Sequence, residues 1–393
     1  MLFQAKGKIH HLSIDESSIR KDVCCEMRRH IIHHILPSLV MVLRSFWIRI
    51  IFGVIFAAVL TGCESLGYYK QQISSQIAIL NKRQPIHEIL EDPDTPEKLK
   101  EKLRLVMDIR AFARDELFLP VKDQYLSFVE LERPYAGWNI WATPEFSFTP
   151  KTWCYPIIGC AVYRGYPSKE DAFDYGHKLE AQGYDVYIGG VVTYSTLGWF
   201  DDPVFNTFIY RSDIRIAALI FHELSHHIFY IADDTTFNES FATAVEQESM
   251  RRWLAKRNNL KAVEDYKMGY QRRRQFIKLM MKYRKALEKL YAKELPIPEK
   301  RHAKTAVFEN LKDEYQLLKQ HWGGYSGYDL WMNRKMNNAK LISVSTYNDL
   351  VPAFLELLKS CNYELRVFYK KCQNLSKRPK EERISYLTKY HSK

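Results

Sequence analysis

One uninterrupted stretch constrains this chain more than any other. Residues 214–241 contain neither Gly nor Pro, and the first half of the stretch is strongly apolar, which predicts a buried helix. The motif His-Glu-x-x-His lies on this stretch at residues 222–226. Positions four apart share one face of a helix, so His222 and His226 can bind one metal ion while Glu223 points beside it. The alternative is a helix whose histidines face solvent or make ordinary hydrogen bonds.

A catalytic zinc site needs a third protein ligand and keeps its fourth position open. Residues 233–236 break the predicted helix, and a second helix follows whose beginning contains Glu239. A Glu at the start of that second helix can complete a two-His, one-Glu zinc site, so we expect Zn²⁺ on His222, His226 and Glu239. The alternative is a capping box, in which Glu239 bonds only the backbone of Thr236.

Asp233, Asp234 and Glu246 are weaker candidates for the metal. Glu246 lies seven residues after Glu239 on the same helix face, where it can orient a ligating histidine instead of binding the ion. One residue of helix turns His227 about 100° away from His226, so we predict no metal role for His227. At such a site zinc activates a water molecule, and Glu223 is the predicted general base that accepts the proton of that water.

Residues 183–194, upstream of the predicted zinc helix, are rich in β-branched and aromatic side chains with Gly between them. This pattern predicts one or two strands. A strand at a sheet edge can pair with an extended peptide, which would make this segment a substrate track. The alternative is an ordinary strand of the core.

A second strong signal lies near the amino end. Arg44 and Arg49 precede the apolar run 50–60, which ends in Leu-Thr-Gly-Cys63. The run is too short to span a membrane comfortably, and its charged lead and small residues predict a bacterial lipoprotein signal with lipidation of Cys63. The alternative is an uncleaved signal anchor with an incidental cysteine. A lipoprotein signal rarely follows so long a polar segment as residues 1–40, so translation is expected to begin at Met41.

The composition after this signal is that of a globular protein, since 46% of the chain is hydrophobic and 14% aromatic. Residues 1–62 contain eight Lys and Arg against four Asp and Glu, so about +8 of the formal +12 charge remains after cleavage. We expect no nucleic-acid partner for an exported chain. The basic surplus predicts a solvated helical surface or, alternatively, contact with anionic lipid or envelope polymer.

Four cysteines follow Cys63, an even number in a compartment that permits disulfides. Cys154 and Cys160 enclose a Pro and a Gly and can close a small loop as a disulfide. Cys361 and Cys372 would lie about 16 Å apart on one straight helix, which is beyond disulfide reach. The spacings do not fit a zinc–cysteine cluster.

The chain is expected to be α+β and mainly helical, with a small mixed sheet. Residues 1–62 are the predicted amino-terminal extension and signal peptide, residues 63–250 the zinc peptidase core, and residues 251–393 a helical part packed on that core. Helices are predicted over residues 68–82, 95–117 and 305–322, a long helix or hairpin over 247–294, and strands with ordered loops over 125–203.

Further short motifs accompany the His-Glu-x-x-His motif between Cys63 and Leu355. They include Tyr68-Tyr69, Arg83-Gln84-Pro85-Ile86, Arg110-Ala111-Phe112-Ala113, Arg133-Pro134-Tyr135, Trp153-Cys154-Tyr155-Pro156, Tyr163-Arg164-Gly165-Tyr166, the run from Tyr194 to Pro203, and Asn238-Glu239-Ser240-Phe241-Ala242. This combination resembles the family of putative bacterial zinc aminopeptidases, whose members are predicted lipoproteins. The resemblance implies a gluzincin-like core with zinc on His222, His226 and Glu239 and with Glu223 as base.

We therefore expect a zinc metallopeptidase, an aminopeptidase first of all, that hydrolyses peptide substrates. It would be anchored to the membrane through Cys63 on the periplasmic face of the bacterial cell envelope, at the outer membrane rather than the inner one. An aminopeptidase binds a free α-amine, for which Glu145 or Asp201 is available. The alternatives are an envelope quality-control endopeptidase, a non-catalytic zinc-stapled interaction lipoprotein, and a signal-anchored structural protein without metal.

Overall fold

The computed structural model describes residues 67–155, 159–193, 201–232, 234–345 and 350–391. The chain divides into two compact units, Met1–Gln71 and Gln72–Lys393, and almost every described residue belongs to the second. The predicted signal peptide and Cys63 lie outside the described residues. Within the described part of the chain, no helix is both long enough and apolar enough to span a membrane.

Helices dominate the described residues and the strands are short, which confirms the predicted α+β, mainly helical class. The helices are α1 (67–81), α2 (Ile86–Glu91), α3 (Glu97–Asp115), α4 (Lys169–Ala181), α5 (Asn206–Ile209), α6 (Asp213–Ser225), α7 (Thr235–Lys256), α8 (Leu260–Tyr291), α9 (Ile297–His321), α10 (Asp329–Met332), α11 (Asn338–Ser345), α12 (Val351–Ser360), α13 (Leu365–Ser376) and α14 (Lys380–His391). The strands are β1 (Gln84–Pro85), β2 (Ser127–Val129), β3 (Gly137–Pro144), β4 (Trp153–Tyr155), β5 (Gly159–Ala161), β6 (Arg164–Tyr166), β7 (Tyr184–Val191) and β8 (Val204–Phe205).

Most predicted elements are present, with shifts at their ends. The segment predicted as a long helix or a hairpin is a hairpin, because a turn at residues 257–259 separates α7 from α8. α7 runs without interruption through residue 250, where the core was predicted to end. α4 lies inside the stretch predicted as strands and loops. Its start carries a recognisable signal, since the Ser168 side chain accepts a hydrogen bond from the Asp171 N–H at 3.2 Å.

Two three-stranded sheets and one two-stranded sheet contain the described strands. β2 lies between β1, which is antiparallel to it, and β8, which is parallel to it with Val204 opposite Phe128. β3 lies between β6 and β7 and is antiparallel to both. β7 is therefore an edge strand, as a peptide-pairing strand must be. Asn337 covers part of that edge, because its amide donates to the Val186 carbonyl at 2.7 Å.

The four cysteines after residue 63 fall into two different settings. β4 and β5 form a small antiparallel ladder in which Cys154 and Cys160 are opposite each other, and a disulfide joins them. Cys361 and Cys372 are free and buried. The two cysteines do not share a helix, since Cys361 follows the end of α12 and Cys372 lies on α13, so the single straight helix considered above does not exist.

The metal-motif helix α6 has one entirely buried apolar face. A stripe at positions i, i+4 and i+8 is fully enclosed, and each large side chain in it stabilises the fold by roughly 1.5–3 kcal/mol. The buried apolar residues of α6 are Ile216, Ala217, Ile220, Phe221 and Leu224. With this face against the core, the opposite side of the last turn carries His222 and Glu223 toward the partly accessible side.

α7 lies at the centre of the larger hydrophobic core, since buried residues occur on all of its sides. The Phe241 ring lies 4.5 Å from that of Phe229, which follows α6, and 5.8 Å from that of Phe368 on α13. The carboxyl-terminal helices α12 to α14 thus enclose the same core as α6 and α7. A second cluster joins β3 to α8, α9 and α11.

Candidate metal centre

The two motif histidines lie where α6 ends. Ser225 is the last residue of the helix, but His226 keeps helical backbone angles of φ −64° and ψ −20°. The N–H groups of residues 226–228 bond carbonyls three residues back, so the chain tightens instead of unwinding. His222 and His226 therefore remain on one face, with ring centroids 5.1 Å apart.

Glu239 lies on the second turn of α7 and faces both histidines. One of its carboxylate oxygens is 3.3 Å from His222 Nε2, and the other is 3.7 Å from His226 Nε2. The capping-box alternative is wrong, because α7 starts earlier and its N-cap is Asp234, whose side chain accepts a hydrogen bond from the Phe237 N–H. The Glu239 carboxylate is thus directed to the histidines.

Asn238 holds the connection between the two helices, a role that the sequence analysis does not assign to it. Its amide makes two hydrogen bonds with the backbone of Ile231, donating to the carbonyl at 2.8 Å and accepting from the N–H at 3.1 Å. The side chain is almost entirely buried. This paired contact keeps α7 against the end of α6 and so positions Glu239, the next residue.

Glu246 contacts the other ring nitrogen of His222. Its Oε2 is 3.3 Å from Nδ1 of that histidine, while its Oε1 accepts a hydrogen bond from the Tyr266 hydroxyl of α8 at 3.4 Å. A carboxylate on Nδ1 sets the ring orientation and leaves Nε2 for the metal. The geometry therefore fits the orienting role considered for Glu246 and adds Tyr266 as its partner.

The three predicted ligands form a set that fits zinc. One ligand atom each from His222, His226 and Glu239 lies within 4.8 Å of the other two. Ligand atoms held at about 2 Å from a tetrahedral ion are roughly 3.3 Å apart, close to the two His–Glu distances above. Two imidazoles and one carboxylate are also the donor types of catalytic zinc sites. The exposed side-chain fractions of His222 and Glu239, 17% and 28%, leave solvent access to this face.

Burial and the neighbouring carboxylates shift the pKa values of the predicted ligands in different directions. Burial lowers the pKa of His226 to about 4, so this ring is neutral at pH 7, as a metal ligand must be. Burial also disfavours charge on His222, but its hydrogen bonds to Glu239 and Glu246 outweigh that effect and raise its pKa to about 10. Burial is the largest single effect on Glu239 and raises its pKa, but the His222 hydrogen bond and the charges of the two histidines and Arg273 together lower it below its usual value.

Glu223 lies among buried polar groups that come from distant parts of the chain. Burial, together with the negative charge of Glu239 and Asp202, raises the pKa of Glu223 to about 7, against the opposing charge of His222. Asp202 precedes β8, is only 3% exposed, and approaches His227 Nε2 to 3.8 Å. His227 thus faces Asp202, consistent with the prediction that it is not a ligand.

Of the two acids considered for α-amine binding, Glu145 is already engaged. It makes a bidentate ion pair with Arg301 of α9 at 2.6 and 2.9 Å, which lowers its pKa. Asp201 precedes Asp202 on the loop that leads into β8, and its carboxylate accepts a hydrogen bond from Gln124 at 3.3 Å. Between the two, only Asp201 lies on the segment next to the metal-motif helix.

The comparisons with known proteins agree with the motif. No curated protein and no solved structure matches the chain. A family model described as "Putative aminopeptidase" matches residues 67–387, which contain Glu223 and all three predicted ligands. The family description denotes hydrolases that act on peptides. By a match that covers most of its length, the chain belongs to the putative aminopeptidase family.

Proposed function

We propose that this protein is a zinc metallopeptidase that removes amino-terminal residues from peptides. The observation that carries the proposal is the convergence of His222, His226 and Glu239 on one partly accessible point, with Glu223 beside them. Membership of an aminopeptidase family supports the peptide substrate.

Each residue of the centre has a distinct role in the proposed hydrolysis. His222, His226 and Glu239 would hold zinc, which when bound supplies Lewis-acid activation of water and of the scissile carbonyl. Glu223 accepts one proton from the attacking water as its oxygen bonds the carbonyl carbon, and passes that proton to the leaving nitrogen as the C–N bond breaks. The second proton of the water passes from the new carboxyl group to the amine, so the products are a carboxylate and an ammonium group. Glu246 holds the His222 ring in place throughout.

Two other functions would use the same centre. An endopeptidase in envelope quality control needs the same ligands and base, and differs only in how the cleft receives the substrate. A non-catalytic, zinc-stapled interaction protein needs the ligands but gains nothing from a half-buried carboxylate at Glu223, which costs free energy to keep next to three other acids. We therefore place the enzyme first.

Metal content tests the ligands. Purified protein should contain about one zinc per chain, and His226→Ala should lose most of it, because each ligand contributes directly to binding. His227→Ala is the matched control, since it removes the neighbouring imidazole that faces Asp202, and it should retain zinc. Full zinc retention in His226→Ala would refute the assigned site.

Peptide cleavage tests the class of enzyme. A short peptide should be shortened from its amino end by the wild type, while Glu223→Gln should bind zinc without cutting. Acetylating the amino end should slow cleavage roughly ten- to a hundredfold, because a charge-assisted hydrogen bond to the α-ammonium is lost. Equal cleavage of both peptides at one internal bond would assign an endopeptidase. A zinc-loaded wild type that cuts neither peptide would favour the non-catalytic function.

We also propose that the mature protein starts at Cys63 and is held at the periplasmic face of the envelope by lipid on that residue. The support is the sequence pattern of residues 44–63. Cys63→Ala should abolish lipid labelling and leave an unprocessed precursor. Expression from Met41 should yield the same mature product as expression from Met1, and a mature chain beginning before Cys63 would contradict the proposal.

A further inference from the structure

Tyr125 lies on a loop whose backbone is held in a costly conformation. Phe118, Lys122 and Tyr125 have positive φ angles of 54°, 35° and 60°, a region that non-glycine residues occupy at a cost of about 1 kcal/mol or more each. Arg110 fixes the loop by donating from its guanidinium to the Lys122 and Gln124 carbonyls. The fold therefore maintains a strained conformation at Tyr125.

The loop ties Tyr125 to the segment before β8, which also approaches the end of α6. The Tyr125 N–H donates to the Asp202 carbonyl at 2.8 Å, and the Asp202 carboxylate approaches His227, the residue after the second predicted ligand. The negative charges of Glu223 and Asp202 both act on the Tyr125 hydroxyl. Tyr125 thus lies on the Glu223 side of the metal centre.

The hydroxyl of Tyr125 lacks a hydrogen-bond partner among the residues that the structure describes. The side chain is only 2% exposed, yet its oxygen is not one of the completely enclosed polar atoms, so the small accessible part includes the hydroxyl. A hydroxyl with so little access to water and no protein partner can cost up to roughly 1–3 kcal/mol. Strain and an unsatisfied donor at one residue indicate a group kept for a ligand.

We infer that Tyr125 is a catalytic residue, whose hydroxyl donates a hydrogen bond to the scissile carbonyl oxygen as negative charge develops on that oxygen. This inference rests on the proposed peptidase function and identifies its transition-state donor. A donor fixed in a water-poor site acts without reorganisation, which makes such groups effective on a developing oxyanion. Burial raises the pKa of Tyr125 far above neutrality, so the phenol keeps the proton that it shares.

Arg273 of α8 is the competing donor. Tyr266 of α8 lies opposite Glu246 of α7, so in this antiparallel hairpin Arg273, seven residues further along, lies opposite Glu239, and their charges interact. Arg273 is exposed, however, and its guanidinium is already solvated. A solvated side chain gains less from the transition state than the enclosed phenol does.

The test is Tyr125→Phe, which removes one oxygen. We expect kcat on the unblocked peptide to fall about 100- to 1000-fold with KM changed by less than about threefold, because the contact forms only in the transition state. Zinc content should be unchanged. The melting temperature should not fall, because the deleted hydroxyl has no partner in the free protein. Tyr210→Phe, at an exposed tyrosine just after α5, is the control and should behave as wild type.

A phosphinic peptide provides a second measurement, since its tetrahedral anionic group imitates the transition state. Tyr125→Phe should bind it about 10- to 100-fold more weakly than the wild type. A Tyr125→Phe enzyme with wild-type kcat would overturn the inference while the Glu223→Gln blank preserves the peptidase assignment. Loss of zinc or of melting temperature in Tyr125→Phe would show a structural role, and loss of kcat only in Arg273→Gln would assign the donor to α8. A wild type without cleavage would refute both proposals.

Discussion

At the scale of single residues, the two ring nitrogens of His222 contact two different carboxylates, and we predict a different role for each: one binds the metal and the other orients the ring. Nε2 of this ring faces Glu239, while Nδ1 faces Glu246, which Tyr266 holds from the next helix. The two carboxylates are seven residues apart on α7 and so share one face. Their different positions relative to one imidazole give them different predicted effects on metal binding.

Glu246→Gln tests the orienting contact. Removing the charge on Nδ1 should weaken zinc binding about tenfold or more, because outer carboxylates fix the ring and raise its basicity. The measurement is a competition titration with a coloured chelator. Glu248→Gln is the control on the same helix, since Glu248 pairs with Arg251 and Arg252 instead, and it should keep wild-type zinc affinity. Equal affinities for Glu246→Gln and wild type would exclude the orienting role.

At the scale of elements, the centre depends on the junction between α6 and α7. His226 follows the last residue of α6 and Glu239 lies on the second turn of α7, so the segment between the two helices sets their relative position. The Asn238 amide fixes this segment by hydrogen-bonding both the N–H and the carbonyl of Ile231. Few residue types can do this, because the contact needs one donor and one acceptor on a short planar group.

Asn238→Ala should therefore destabilise the protein and weaken the site together. Two hydrogen bonds are lost and two backbone groups are left without partners, for a loss of about 2–5 kcal/mol in the free energy of unfolding. Urea denaturation of the metal-free protein measures the loss, and the chelator competition should show weaker zinc binding. The exposed Asn374→Ala on α13 should change neither quantity. A stable Asn238→Ala protein with unaltered zinc affinity would show that the junction does not need the amide.

At the scale of the whole molecule, the last helix, α14, holds the start of α7, the helix that contains the predicted ligand Glu239. Arg383 of α14 donates to the Asp234 carboxylate at 2.5 Å, and the exposed fractions of the two side chains are 7% and 5%. Asp234 is also the N-cap of α7. A buried ion pair thus ties the last helix to the helix that contains Glu239.

Arg383→Met should be strongly destabilising, because it leaves the buried Asp234 charge without its partner. Breaking one side of a buried ion pair typically costs 3–5 kcal/mol. Denaturant unfolding of Arg383→Met and of Lys380→Met, at the exposed start of the same helix, provides the comparison. Asp234→Asn combined with Arg383→Met should recover part of the loss, since no charge is then left unpaired. Identical stability of Arg383→Met and wild type would refute the coupling.

The sequence by itself determined the parts of this protein that follow from local periodicity. The i, i+4 spacing brings His222 and His226 together on any helix, and the short segment before Glu239 returns that residue to the same point. Cys154 and Cys160 meet because a tight hairpin pairs residues six apart. The mainly helical class follows from the same local rules, and the Ser168 cap shows that even α4 had a readable signal.

Only the tertiary structure decided which distant groups surround that centre. The strained loop at Tyr125 comes from the region before β2, and Arg383 reaches Asp234 across 149 positions of sequence. The local sequence pattern carries no information about such features. A tyrosine with a left-handed backbone conformation or a buried ion pair is stable only when many surrounding contacts of the packed core hold it in place. The tertiary structure also decided against the capping box of Thr236 and Glu239, because α7 packs in the core from Thr235 onward and has Asp234 as its N-cap.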